Sequence, residues 1–223
     1  MSTTTRTWWN RENRPYDPVE LKVDAAVHLL GLTIALLMGA ILIYLALISR
    51  SPINPAHLSL YVGSLLAVLS ISMVFNQWPP TPFKMHLARL DQASIFLFMA
   101  GSYTPFLALL TGTPKGPLMM TIVWGAAVIG IALKLIAPHR FGRIAIVLYL
   151  GIGWSGLIVF RDLARHVTDN TLFLLLAGGI VYSLGIIFHL WEKLRFQNAL
   201  WHVTVVAGAS LHLLAVMEIL LHR

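Results

Sequence analysis

Seven apolar stretches, each near the length a helix needs to cross a bilayer, divide the chain from residue 25 onward: 25–48, 58–75, 90–110, 117–137, 144–160, 172–190 and 200–221. A hydrocarbon core about 30 Å thick takes roughly 20 consecutive apolar residues in helical form. With 57% hydrophobic and only 11% charged residues in 223, there is too little polar surface to cover a water-soluble domain of this size. The expected fold is therefore all-α, a seven-helix transmembrane bundle over residues 21–223. Residues 1–20 are polar and carry Arg6, Arg11 and Arg14 without the apolar stretch of a signal peptide, and are expected to form a flexible cytoplasmic tail. The fifth stretch has the weakest helix signal, because Gly151, Gly153 and Gly156 interrupt it.

Charge orients this bundle. On alternate sides of the seven stretches, Arg6, Arg11, Arg14, Lys22, Lys84, Arg89, Lys134, Arg140, Arg143, Lys193 and Arg195 stand against Arg50, Lys115, Arg161, Arg165 and Arg223. The positive-inside bias then puts the amino terminus in the cytoplasm and, with an odd number of spans, the carboxyl terminus outside. The net charge of +7 is spread through short loops rather than gathered on one face, so anionic lipid headgroups are the expected partners and nucleic acid is not. The absence of cysteine excludes disulfide scaffolds, iron–sulfur clusters, thiol nucleophiles and cysteine-bound zinc.

Polar groups inside spans are costly, so their convergence is informative. With the amino terminus inside, the second span ends on Ser72 and Asn76, the third begins with Asp91, and the seventh begins with Asn198 and His202. All lie at the inner leaflet. Ser72 with Asn76, and Asn198 with His202, are four residues apart, which sets each pair on one helix face. His28 enters at the same depth. Taken singly, each has a structural explanation: Ser72 bonding back to a carbonyl one turn earlier, the asparagines bridging helices, Asp91 at a helix amino terminus, and His202 at the interface. Trp78, Trp191 and Trp201 read as interfacial anchors, and His212, about 15 Å beyond His202 along the helix, as an interhelical hydrogen-bonder.

Several stretches together carry a resemblance. Leu90-Asp91-Gln92-Ala93-Ser94-Ile95-Phe96, followed by Ala100-Gly101-Ser102-Tyr103-Thr104-Pro105-Phe106, resembles the third-helix signature of the haemolysin III and progestin/adipoQ receptor (PAQR) family. Asp24-Ala25-Ala26-Val27-His28-Leu29-Leu30-Gly31 is similar to its first-helix pattern, and Leu200-Trp201-His202-Val203 with Ala207-Gly208-Ala209-Ser210-Leu211-His212 to its last. The resemblance implies a zinc site near the cytoplasmic face, held by one His of a Ser-x-x-x-His motif on the second span and two of a His-x-x-x-His motif on the seventh. The third-span aspartate stands close by, and in the family this constellation is associated with hydrolysis of lipid amides such as ceramide.

This chain departs from that pattern at two positions. Asn76 stands where the second-span histidine belongs and Asn198 in place of the first seventh-span histidine, so only His202 matches. An amide oxygen is a weak zinc ligand beside imidazole, and zinc is expected to bind weakly or not at all. His28 is the best substitute ligand. Ser72 and Asp91 are retained as the expected catalytic pair. Without its metal the expected function is lipid sensing or membrane homeostasis through an inner-leaflet polar pocket, in a bacterial inner membrane. The alternatives are a zinc-dependent lipid amide hydrolase, in which Asp91 shuttles the proton and Ser72 orients the water, and a pore-forming haemolysin. A pore asks for polar residues through the whole membrane depth, and the fourth to sixth stretches lack them.

Overall fold

The computed structural model describes residues 17–48, 51–136, 142–191 and 193–222. They form helices α1 (Pro18–Ile48), α2 (Pro55–Gln77), α3 (Lys84–Ala108), α4 (Lys115–Ile136) and α5 (Gly142–Trp154). A 3₁₀ turn (Ser155–Ile158) and the short α6 (Phe160–Leu163) follow, then α7 (Asp169–Leu190) and α8 (Gln197–Leu221). No strand occurs among the described residues. The tail expectation falls mostly on residues 1–16, outside the described ones. Residues 18–20 already belong to α1, and Glu20 is buried there.

Local chemistry sets the boundaries. Asn54 caps α2 by accepting the Ala56 N–H at 2.8 Å, with Pro55 preset for the first turn, and Pro79 and Pro80 follow its end. Thr168 caps α7 by accepting the Thr171 N–H at 3.1 Å. Phe196, in the left-handed region at φ 58°, opens α8, and its N–H donates to Glu20 Oε1 at 2.7 Å. On the opposite side of the molecule, Lys115 at the start of α4 pairs with Asp162 at 2.9 Å.

The helices form a ring. α1 packs on α2 and α8, α2 on α3, α3 on α4, and α8 on α7, while α5 touches α3, α4 and α7 and closes the circuit. The stripe α1 turns inward is Glu20, Asp24, His28, Gly31, Ala35, Gly39, Leu42 and Ala46, and the face it turns outward carries Leu29, Leu30, Leu36, Leu37, Ile41 and Leu47. Polar and small residues inside with large apolar ones outside invert the arrangement of a soluble domain, and this pattern suits acyl chains as surroundings. Five helices, α1, α2, α4, α7 and α8, are long and apolar enough to span a bilayer. α3 is as long but begins with Lys84, Arg89 and Asp91, and the apolar part of α5 with the following turn is shorter. At Gly31 both ring neighbours press on α1: a Cβ there would lie 2.6 Å from Val206 Cγ2 on α8 and 3.4 Å from Leu69 Cδ1 on α2.

Candidate functional site

Three helix ends meet at one end of the ring: the start of α1, the end of α2 and the start of α8. The four-residue spacings place Asp24 and His28, Ser72 and Asn76, and Asn198 and His202 on the inward faces of their helices. A continuous run of hydrogen bonds joins them. Asn198 Nδ2 donates to Asn76 Oδ1 at 2.9 Å. Asn76 Nδ2 in turn donates to the Ser72 carbonyl at 2.8 Å and reaches Ser72 Oγ at 3.2 Å. Ser72 Oγ lies 3.2 Å from His202 Nε2, and His202 Nδ1 lies 2.5 Å from Asp24 Oδ1. His28 faces His202 with ring centroids 4.2 Å apart, and its Nδ1 bonds the Asp24 carbonyl at 2.9 Å.

Proton positions follow from what each partner can do. A carbonyl only accepts, so His28 Nδ1 carries the hydrogen and His28 Nε2 is a lone pair. Where His202 Nδ1 donates to the Asp24 carboxylate, a neutral ring would leave Nε2 to accept from Ser72. Ser72 therefore does not bond back along its own helix; its hydroxyl points across to α8. Asp24, His28 and His202 are 2%, 0% and 5% exposed, so this is a buried carboxylate–imidazole cluster. Two of its atoms, Asp24 Oδ2 and His28 Nε2, are shut off from solvent with no hydrogen-bond partner among the described residues. Asp24 Oδ2 lies 3.5 Å from His28 Nδ1, too long for a good hydrogen bond, and a donor or a cation beside either atom would satisfy it. Beside them a cavity of about 10 Å³, on the order of one water, is lined by Glu20, Leu21, Asp24, Phe196, Asn198 and Ala199.

The three-imidazole zinc site does not fit these residues. The amide oxygen of Asn76 is taken by Asn198, and each asparagine turns its NH₂, a group that cannot ligate, into the cluster. Asp24, His28 and His202 are a different set. Each brings one ligand atom within 4.8 Å of the others, so these three could hold a metal ion.

Among the residues singled out in the sequence, Ser72, Asn76, Asn198, His202 and His28 are brought together. Asp91 lies half-buried in α3, its backbone carbonyl bonded by Ser94 Oγ at 2.7 Å and its carboxylate acting electrostatically on Tyr149. The residue the sequence reading left out of the site is Asp24. Its spacing from His28 was the available signal, and its position beside Glu20 and Lys22 marks it equally well as interfacial. Lys134, counted there as a loop charge, is buried inside α4 at 3% exposure, and its Nζ donates to Gln92 Oε1 at 2.8 Å. His212 bonds the Leu175 carbonyl of α7 at 3.3 Å, an interhelical hydrogen bond as expected.

A ring of apolar helices with a buried polar cluster at one end defines a multi-pass integral membrane protein. A sequence model described as haemolysin-III related matches residues 21–213. Hemolysin-3 of Bacillus cereus is 39% identical over 57% of this chain and 58% of that protein. The hemolysin-3 homolog of Bacillus subtilis is 30% identical over 84% of the chain and 88% of its own length. The human monocyte to macrophage differentiation factor is 28% identical over 72% and 69%. The chain belongs to the haemolysin III/PAQR family. Its bacterial relatives agree with a place in a bacterial membrane.

Proposed function

We propose that this chain is a seven-span protein with a cytoplasmic amino terminus, α3 and the α5 segment completing the count, and that its inner-leaflet polar site binds a membrane lipid. Lipid sensing or membrane homeostasis is the corresponding role. The observation that carries this reading is the hydrogen-bonded run from Asn198 through Asn76, Ser72 and His202 to Asp24, which the proposed topology would set at headgroup depth. Amide N–H groups and a hydroxyl suit the carbonyl and phosphate oxygens of a lipid at that level. A phospholipid carrying a diazirine near its acyl carbonyl, in nanodiscs holding the purified protein, tests it. Crosslinks should concentrate on the inner ends of α1, α2 and α8 and fall several-fold in Asn198→Leu. Labelling spread evenly over the outward faces and indifferent to that substitution would reject the proposal.

Metal-dependent hydrolysis is the second reading, favoured by the orphaned Asp24 Oδ2 and His28 Nε2. A zinc ion bound there would supply a Lewis acid and a water acidic enough to ionise near neutrality. Asp24, His28 and His202 would hold it, and Ser72 would orient what binds beside it.

A further inference from the structure

We propose that Ser72, His202 and Asp24 form a nucleophilic triad that works without metal and accepts the acyl group of a glycerolipid ester. The inference rests on the lipid-binding reading and gives the same site a reaction. Three groups are arranged as activation of a serine requires: Ser72 Oγ at 3.2 Å from His202 Nε2, and His202 Nδ1 at 2.5 Å from Asp24 Oδ1. The nucleophile meets one ring nitrogen and the orienting carboxylate the other, which fixes the imidazole tautomer that can take the hydroxyl proton. His28 packs on the His202 ring and bonds the Asp24 carbonyl, so the imidazole and the α1 backbone carrying its carboxylate are held on a second side.

The two asparagines acquire a role in this arrangement. By accepting from Asn198, Asn76 Oδ1 fixes the orientation of its own amide; one Nδ2 hydrogen goes to the Ser72 carbonyl at 2.8 Å and the other is left beside Oγ, with Nδ2 3.2 Å from it. A neutral N–H donor beside the nucleophile is what an oxyanion developing on an attacked carbonyl needs. Imidazoles at positions 76 and 198 would ligate metal; amides are poor zinc ligands and, oriented as these are, present N–H groups toward Asn76 and Ser72 instead. Asn76 is half-buried and one residue from exposed Gln77, so the donor lies on the more open side of the cluster, where a lipid ester carbonyl would approach.

The chemistry balances with water as the only co-reactant. Ser72 Oγ bonds to the ester carbon as its proton passes to His202 Nε2. The C–O bond to the glycerol oxygen breaks, that oxygen takes the proton from His202, and the acyl group stays on Ser72. Water then adds to the acyl carbon, giving its proton to His202, and the fatty acid leaves as Ser72 Oγ is reprotonated.

The test uses the full chain in detergent micelles with a fluorophosphonate, a reagent that phosphonylates activated serines, and peptide mapping by mass spectrometry. Ser72 should be modified in the wild type with and without prior chelation, and Ser72→Ala should remove the adduct. Asp24→Asn and His202→Gln, which keep size and hydrogen bonding, should slow modification at least 100-fold while thermal unfolding stays cooperative. In nanodiscs of acyl-labelled phosphatidylglycerol in ¹⁸O water, released fatty acid should carry one ¹⁸O atom, and Asn76→Ala should reduce the release roughly 10- to 1,000-fold. An unmodified Ser72 in folded wild type overturns the triad, as does modification that ignores His202→Gln or requires added zinc. Where the diazirine lipid still crosslinks to the inner helix ends while Ser72 stays unmodified, the triad falls and the lipid-binding reading stands.

Discussion

The side chains that distinguish this chain are two amides. Asn76 and Asn198 hydrogen-bond each other and hand the polarity on to Ser72, so the positions that would ligate zinc are engaged in a protein-only network. Asn76→His together with Asn198→His should convert the cluster, raising bound zinc from well below one to about one per chain by metal analysis of purified protein, with His202→Ala abolishing the gain. A folded double variant that stays metal-free would mean α2 and α8 no longer hold the spacing three imidazoles need. Stoichiometric zinc in the wild type, lost in Asp24→Asn, would instead assign the metal to the Asp24, His28 and His202 set. At this scale the sequence spoke unevenly. The i, i+4 pairs and the shared depth of α2 and α8 were legible, because helical periodicity and the bilayer fix both. Asp24 was not, since a carboxylate at a span's edge reads the same whether it faces headgroups or an imidazole. Lys134 was misplaced for the same reason in reverse: a cation ending an apolar run counts as a loop charge until a neighbouring helix offers Gln92.

Among the elements, α1 organises the site, because its inward stripe passes from carboxylate and imidazole to glycine and alanine within about three turns. Gly31, one turn beyond His28, lets α2 and α8 close on α1 just beneath the polar cluster. Gly31→Leu should cost about 1–3 kcal/mol of stability, the range for overpacking a filled interior. Val206→Ala in the same chain should recover part of it, both read from thermal unfolding in detergent. Equal losses with and without Val206→Ala would place the strain elsewhere. Composition made α1, α2, α4, α7 and α8 visible as spans. α3 was found through its signature residues rather than its hydropathy, since its first two turns carry charge.

For the molecule as a whole, the ring order and the count of crossings make a prediction that the cysteine-free sequence suits. Single cysteines have no background here, so Ser2→Cys and His222→Cys can be probed with a membrane-impermeant maleimide. His222→Cys should react on intact cells and Ser2→Cys only after permeabilisation. Both reacting from one side would require an even number of crossings and would take the α5 segment out of the membrane. The Glu20 carboxylate holding the N–H of Phe196 has a bearing on any such engineering. Together with the Asp24–His202 hydrogen bond one turn further along, it fastens the first helix to the last, so a truncation or fusion that frays the opening turn of α1 will be felt at the start of α8.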